Sequence, residues 1–287
     1  TTPFTFIATA ETIAFLGATP VFVDINEQTY NIDVCRIEEK ITKNTKAIIP
    51  VSLFGQISDM VAINKIALKY NLPVIEDGAQ SFGATFKDKK SCNVSTIGTT
   101  SFFPAKPLGC FGDGGAVFTS DEDLAAKIKS IRIHGQTKRY HHKYIGMGGR
   151  LDTLQSAILN VKIKHYKKDI SRRQKVANHY TELLKDKFIT PIISEDNSSV
   201  WAQYSIRVPS RDKIHLALKE RGIPSAIYYP LPLHLQECFK YLKYKKGAFP
   251  ISELISNEIL SLPINPYIQA NEIEFVCNEL IAQTELL

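Results

Sequence analysis

Three short apolar runs, at residues 20–24, 46–51 and 73–77, are separated by stretches with helical spacing of apolar residues at 33–41 and 59–70. Parallel neighbours need crossover connections, so this order builds a mostly parallel sheet with helices on both faces, an α/β fold. The third run ends on Glu76-Asp77. An acid is therefore expected at the carboxyl end of a parallel strand, where such sheets open onto a ligand crevice. The pattern continues with a strand at 114–119 and a helix at 121–131. A helical stretch at 152–184 follows, expected to break or bend because few globular helices are so long. Beyond it, a strand at 204–208, a helix at 211–221, a strand at 225–229 and a helix at 271–284 form a smaller α/β unit. The division reads as a large domain over 1–165, then a connecting helix and small C-terminal domain over 166–287.

A chain of 287 residues with 44% hydrophobic content can bury cores of that size. No run of about 18 apolar residues occurs, which excludes a helical membrane span. The opening Thr1-Thr2-Pro3-Phe4-Thr5-Phe6 lacks a basic leader and an initiator methionine and reads as strand-like. The chain is thus expected to lack its N-terminal part. Five cysteines without a CxxC pair fit reduced thiols in a cytoplasm. Much of the net charge of +6 sits on Lys162, Lys164, Lys167, Lys168, Arg172, Arg173 and Lys175, within one helical pattern. No aromatic platform interleaves them, so they read as a solvated helix face and not a nucleic-acid stripe.

The run Thr100-Ser101-Phe102-Phe103-Pro104-Ala105-Lys106-Pro107-Leu108-Gly109 presents one lysine on a loop pinned by two prolines. Lys106 can form a Schiff base, and Asp77 can face a pyridinium nitrogen. Together they are the minimum equipment of pyridoxal phosphate chemistry. A strand-end aspartate also caps helices, and most lysines are surface charges. The flanking prolines and following glycines favour a fixed loop here. The glycine-rich stretch at 109–115 leads into a strand instead of opening a helix, so it is no dinucleotide loop. His134, His141 and His142 have no carboxylate or cysteine at ligand spacing.

Several separated motifs carry a family resemblance. They are Thr5-Phe6-Ile7-Ala8-Thr9-Ala10-Glu11, Val21-Phe22-Val23-Asp24, Phe54-Gly55-Gln56, Val74-Ile75-Glu76-Asp77-Gly78-Ala79-Gln80-Ser81 and Ser101-Phe102-Phe103-Pro104-Ala105-Lys106. Gly112-Asp113-Gly114-Gly115-Ala116, His134-Gly135-Gln136, Arg150-Leu151-Asp152-Thr153-Leu154-Gln155 and Tyr229-Pro230-Leu231-Pro232-Leu233-His234 follow in order. The chain resembles the DegT/DnrJ/EryC1/StrS sugar aminotransferases, fold-type I pyridoxal phosphate enzymes. Its lysine signature looks closest to the branch that aminates UDP-2-acetamido-2-deoxy-3-keto-glucuronate for surface polysaccharides.

The resemblance implies Lys106 as the Schiff-base lysine and proton shuttle, and Asp77 as the partner of the pyridine nitrogen. It implies Gln80 at the ring hydroxyl, Ser101 at the cofactor phosphate and Phe6 stacked over the ring. Arg150, Tyr228 and Tyr229 match positions that touch the nucleotide-sugar, some of them across to a neighbouring subunit. Each of these residue types also occurs for packing alone. The resemblance further implies glutamate as amino donor, a keto-sugar nucleotide as acceptor, a homodimer and a ping-pong cycle. Two departures stand out. Gly148 replaces an asparagine that in the family reaches the cofactor phosphate across the interface, and the family's N-terminal phosphate-binding segment is not in this chain. A sugar dehydratase of the same fold, which has histidine in place of the lysine, and a non-catalytic fragment are the competing readings.

Overall fold

The computed structural model describes residues 1–286. Its first regular element is α1 (Ala8–Phe15), preceded by a segment that forms no strand, contrary to the strand-like reading of residues 1–6. α2 (Met60–Lys69) is capped by Asp59, which accepts from the Ala62 amide at 3.1 Å. β1 (Ile75–Asp77), the hairpin β2 (Thr85–Phe86) and β3 (Lys89–Lys90), β4 (Ile97–Ser101) and β5 (Gly115–Phe118) follow. α3 (Glu122–Ile131) is capped by Asp121. A second hairpin, β6 (Gln136–Lys138) and β7 (His141–His142), precedes α4 (Thr153–Leu184). The chain ends with β8 (Tyr204–Arg207), α5 (Arg211–Glu220), α6 (Pro250–Glu258), β9 (Ile259–Leu262) and α7 (Ala270–Glu285).

β4 lies at the centre of the main sheet, parallel to β1 and antiparallel to β5. The segment around residues 48–51 runs parallel along the other side of β1, through bridges Ile48–Val74 and Val51–Asp77. Asp77 is locked into this frame, its amide donating to Pro50 O and its carbonyl accepting from Ser52 N. Pro50 has no N–H to give.

The strand expected at 46–51 makes only the bridges Ile48–Val74 and Val51–Asp77, and four other expected elements also take another form. Residues 20–24 form no strand: Thr1 N donates to Val21 O, Val23 N donates to Thr1 O, and Asp24 O accepts from Asp33 N. Residues 33–41 form two 3₁₀ turns, Val34–Arg36 and Glu38–Lys40, instead of one helix. Their inward residues Val34 and Ile37 are three apart, the 3₁₀ repeat. Residues 225–229 make only a bridge between Ala226 and Ser261, on the edge of β9 opposite β8. Finally, α4 is one unbroken helix of 32 residues and contains neither glycine nor proline. It persists because two cores grip it. Leu159 and Tyr166 pack with Phe102, Leu108 and Cys110, whereas Val176, Ala177, Tyr180 and Leu184 pack with β8, β9 and α7.

The N-terminal segment is held by chain far away in sequence. Asp24, 2% exposed, accepts from Ile251 N, Ser252 N and Ser252 Oγ and so caps α6. Leu233 N donates to Pro3 O at 2.8 Å. Ile255 and Ile259 share a core with Phe4, Ile25 and Phe54, against which Tyr228 and Tyr229 pack. These contacts bring α1 and the Tyr229 loop together beside the end of β1.

Candidate active site

Asp77 closes β1, and strand alternation sends its side chain to the face opposite Glu76. Oδ2 accepts from the Thr9 hydroxyl at 2.7 Å and Oδ1 from the Ala79 amide at 3.1 Å. Glu76 is fully buried and accepts from Ser52 Oγ, Ser91 Oγ and Cys92 N at 2.9, 2.9 and 2.6 Å. Burial holds its carboxyl above the usual range despite those donors. Glu76 therefore ties β1 to the loops at 52–58 and 91–96.

Lys106 lies in the loop between β4 and β5. Its amide donates to Phe103 O at 2.9 Å, and Phe103 N donates to Ser101 Oγ at 3.2 Å. Gly109 makes the turn possible, since a Cβ there would stand 2.7 Å from Phe103 O and 2.6 Å from Pro104 O. α4 clamps the far side of this loop. Lys162 Nζ donates to Gly109 O and Gln155 Oε1 accepts from Phe111 N at 2.8 Å. Cys110 turns its thiol inward to Phe102 O and Gly112 O, away from any nucleophilic role.

Burial lowers the Lys106 pKa from the ordinary lysine value, and the negative charge of Asp77 opposes that shift. The field of Asp77 thus reaches Lys106, yet the two form no ion pair among the described residues. A half-buried amine thus lies within electrostatic reach of an acid fixed by two donors. That is the donor set a pyridine aldehyde requires, with carbonyl capture at one end and a ring-nitrogen partner at the other.

Around this pair stand the other residues singled out in the sequence. Gln80, 5% exposed, accepts from Phe54 N at 2.8 Å and donates to Tyr229 Oη at 3.0 Å. One amide hydrogen remains to it. Tyr229 is also within the field of Asp77, and burial pushes its phenol pKa well up. Its ring meets Phe4 edge-on at 6.2 Å and lies 6.4 Å from the half-exposed Phe6. Tyr228 packs edge-on against Tyr229 at 5.7 Å. Ser101 keeps its hydroxyl hydrogen free beside the lysine loop. Asp77, Gln80, Tyr229 and Lys106 are thus brought together, with Phe6 at the rim.

Arg150 is not part of this cluster. It is exposed on the loop before α4 and makes no side-chain hydrogen bond or ion pair among the described residues. At Gly148 an added Cβ would come within 3.3 Å of His134 Nε2, so the imidazole limits what a larger residue there could do. Thr9, Glu76 and Gln155 were present in the motifs quoted from the sequence but carried no assigned role. Their partners lie 68, 15 to 24 and 44 residues away, separations that local pattern does not reveal.

The DegT/DnrJ/EryC1/StrS aminotransferase family model matches residues 1–281. The UDP-2-acetamido-2-deoxy-3-oxo-D-glucuronate aminotransferase of Pseudomonas aeruginosa is 51% identical over 278 residues, covering 96% of this chain and 77% of that protein. A DegT DnrJ EryC1 StrS aminotransferase from Brucella abortus superposes with a TM-score of 0.92 at 40% identity, over 99% of this chain and 78% of that one. NtdA from Bacillus subtilis, solved with bound cofactor PMP, superposes with a TM-score of 0.90 at 32% identity, over 98% and 66% of the two chains.

Proposed function

The chain belongs to the DegT/DnrJ/EryC1/StrS aminotransferase family, and on that premise we propose that it carries an amino group from glutamate to a UDP-linked 3-keto-uronic acid. It is a sugar-nucleotide aminotransferase that works with pyridoxal phosphate. The observation that carries the reading is the half-buried Lys106, on a loop held by Gly109 and Lys162, within the field of an Asp77 that Thr9 and Ala79 fix in place.

When bound, pyridoxal phosphate supplies the carbonyl that holds the nitrogen and an electron-poor ring that accepts the electron pair released at carbon. Burial keeps a larger fraction of Lys106 uncharged than an exposed lysine would have, as nucleophilic and general-base roles require. With the cofactor bound, its Nζ would carry a proton from the α-carbon of glutamate to the cofactor carbon, and later one from that carbon to C3 of the sugar. Asp77 would accept the hydrogen bond of the ring nitrogen. Gln80 would give its remaining amide hydrogen to the ring hydroxyl, and Ser101 its hydroxyl hydrogen to the phosphate. Phe6 would cover the ring face. Tyr228 and Tyr229 line the sugar side, and Arg150 serves the site of a second copy in a homodimer.

Turnover tests this reading. The protein is given glutamate and a panel of UDP-, dTDP- and GDP-ketosugars, and 2-oxoglutarate is measured. The UDP-3-keto-uronic acid is expected to be the preferred acceptor, with Lys106→Ala inactive on all of them. Preference for a dTDP- or GDP-sugar, or transfer that survives Lys106→Ala, would overturn it.

A further inference from the structure

Helical threonines ordinarily return their hydroxyl to the carbonyl four residues back. Thr12 does so, donating to Ala8 O at 3.0 Å. Thr9, one turn earlier in α1, does not. Its hydroxyl crosses 68 positions of chain to Asp77 Oδ2 at 2.7 Å, and Thr5 Oγ1 lies 3.2 Å from Thr9 Oγ1. A hydroxyl carries one hydrogen. That of Thr9 goes to the carboxylate, so Thr5 must donate to Thr9, and the order Thr5 to Thr9 to Asp77 is fixed. Both threonines are buried. With Ala79 N on the other oxygen at 3.1 Å, the carboxylate is pinned at both ends and its unused lone pairs have fixed directions.

We propose that Thr9, backed by Thr5, is a positioning residue that holds the Asp77 carboxylate aimed at the cofactor ring. The proposal rests on the pyridoxal phosphate reading above and adds the residues that set the orientation of its acid. A charge-assisted hydrogen bond fixes the direction of the carboxylate that accepts it. Aimed at the ring nitrogen, that carboxylate would hold the nitrogen's proton, and the positive ring would lower the proton affinity of the nitrogen Lys106 contributes.

The full chain is titrated with pyridoxal phosphate as wild type, Thr9→Val and Thr9→Ser. Absorbance at about 400 nm is followed for affinity and for its pH midpoint. Thr9→Val is expected to bind roughly 10-fold more weakly, from loss of one charge-assisted hydrogen bond, and to move the midpoint upward. Thr9→Ser keeps the donor and is expected to match wild type on both readouts, a rescue that a purely structural role of the methyl group would not give. Thr5→Val, which leaves Thr9 in place, is expected to move both readouts the same way by less, and it carries the test should Thr9→Val not fold. Unchanged affinity and midpoint in Thr9→Val, or in Thr5→Val where that variant stands in, would overturn the proposal. So would a Thr9→Ser protein as impaired as Thr9→Val. A wild-type protein that binds no pyridoxal phosphate would sink the cofactor reading and this proposal together.

Discussion

Lys106 leaves a signature in the stability of the cofactor-free protein. Its folded pKa lies below the 10.5 of an ordinary lysine. Between those two pH values the unfolded chain binds a proton that the folded chain does not, so stability rises with pH through that window. Below the window the folded protein carries a desolvated ammonium at full cost. Lys106→Met is therefore expected to melt at or above the wild-type temperature at neutral pH, and to lose that part of the alkaline rise. Calorimetry across pH checks this, and a variant markedly less stable than wild type at pH 7 would contradict it. Glu76 is the opposite case, a buried acid that three donors keep in place. Cys92 beside it has its thiol pushed up to about 12, chiefly by burial, and is inert at neutral pH. The adjacent acids thus divide the work, with Glu76 binding loops together and Asp77 facing the site.

At the scale of elements, α4 decides how well the lysine loop is held. Gly109 O is buried and its hydrogen-bond donor is Lys162 Nζ, which also lies over the Phe111 ring at 5.7 Å. Lys162→Met keeps the aliphatic stem and removes the donor. It is expected to cost about 1 to 3 kcal/mol, read as a lower melting temperature, because a buried carbonyl loses its partner. A drop in kcat is expected with it, since the loop bearing Lys106 loosens. The elements most legible in the sequence were those whose signal is local. Asp59 and Asp121 mark helix starts as side-chain caps, and the run into Asp77 marks a central strand. The misread elements depended on partners. Residues 225–229 look like a strand but find only a bridge, and 20–24 make isolated bonds to Thr1 and Asp33 in place of a ladder. The break expected in α4 is absent because two cores support it, which its length alone does not disclose.

At the scale of the molecule, Lys106 and Asp77, the proposed catalytic pair, stand in specific motifs of the sequence, whereas the partners of their supports do not show there. Asp24 caps α6 from 227 and 228 residues away, and Thr9 reaches Asp77 from 68. Such contacts follow from the closed fold, not from neighbouring residues. The exposed Arg150 lies outside the Lys106 cluster, and the proposed homodimer would place it at a second copy's site. If so, Lys106→Ala and Arg150→Ala each inactivate the homodimer but leave one intact site in a mixed dimer. Random mixing of the two inactive proteins is expected to restore about a quarter of wild-type turnover. No recovery on mixing would place Arg150 in the site of its own chain or outside any site. The most direct measurement is borohydride reduction of the pyridoxal phosphate-loaded protein followed by peptide mass mapping. A pyridoxyl adduct on Lys106 alone is the expected result. An adduct on another lysine, or none despite saturating cofactor, would contradict the assignment of Lys106 and Asp77 to the two ends of one bound ring.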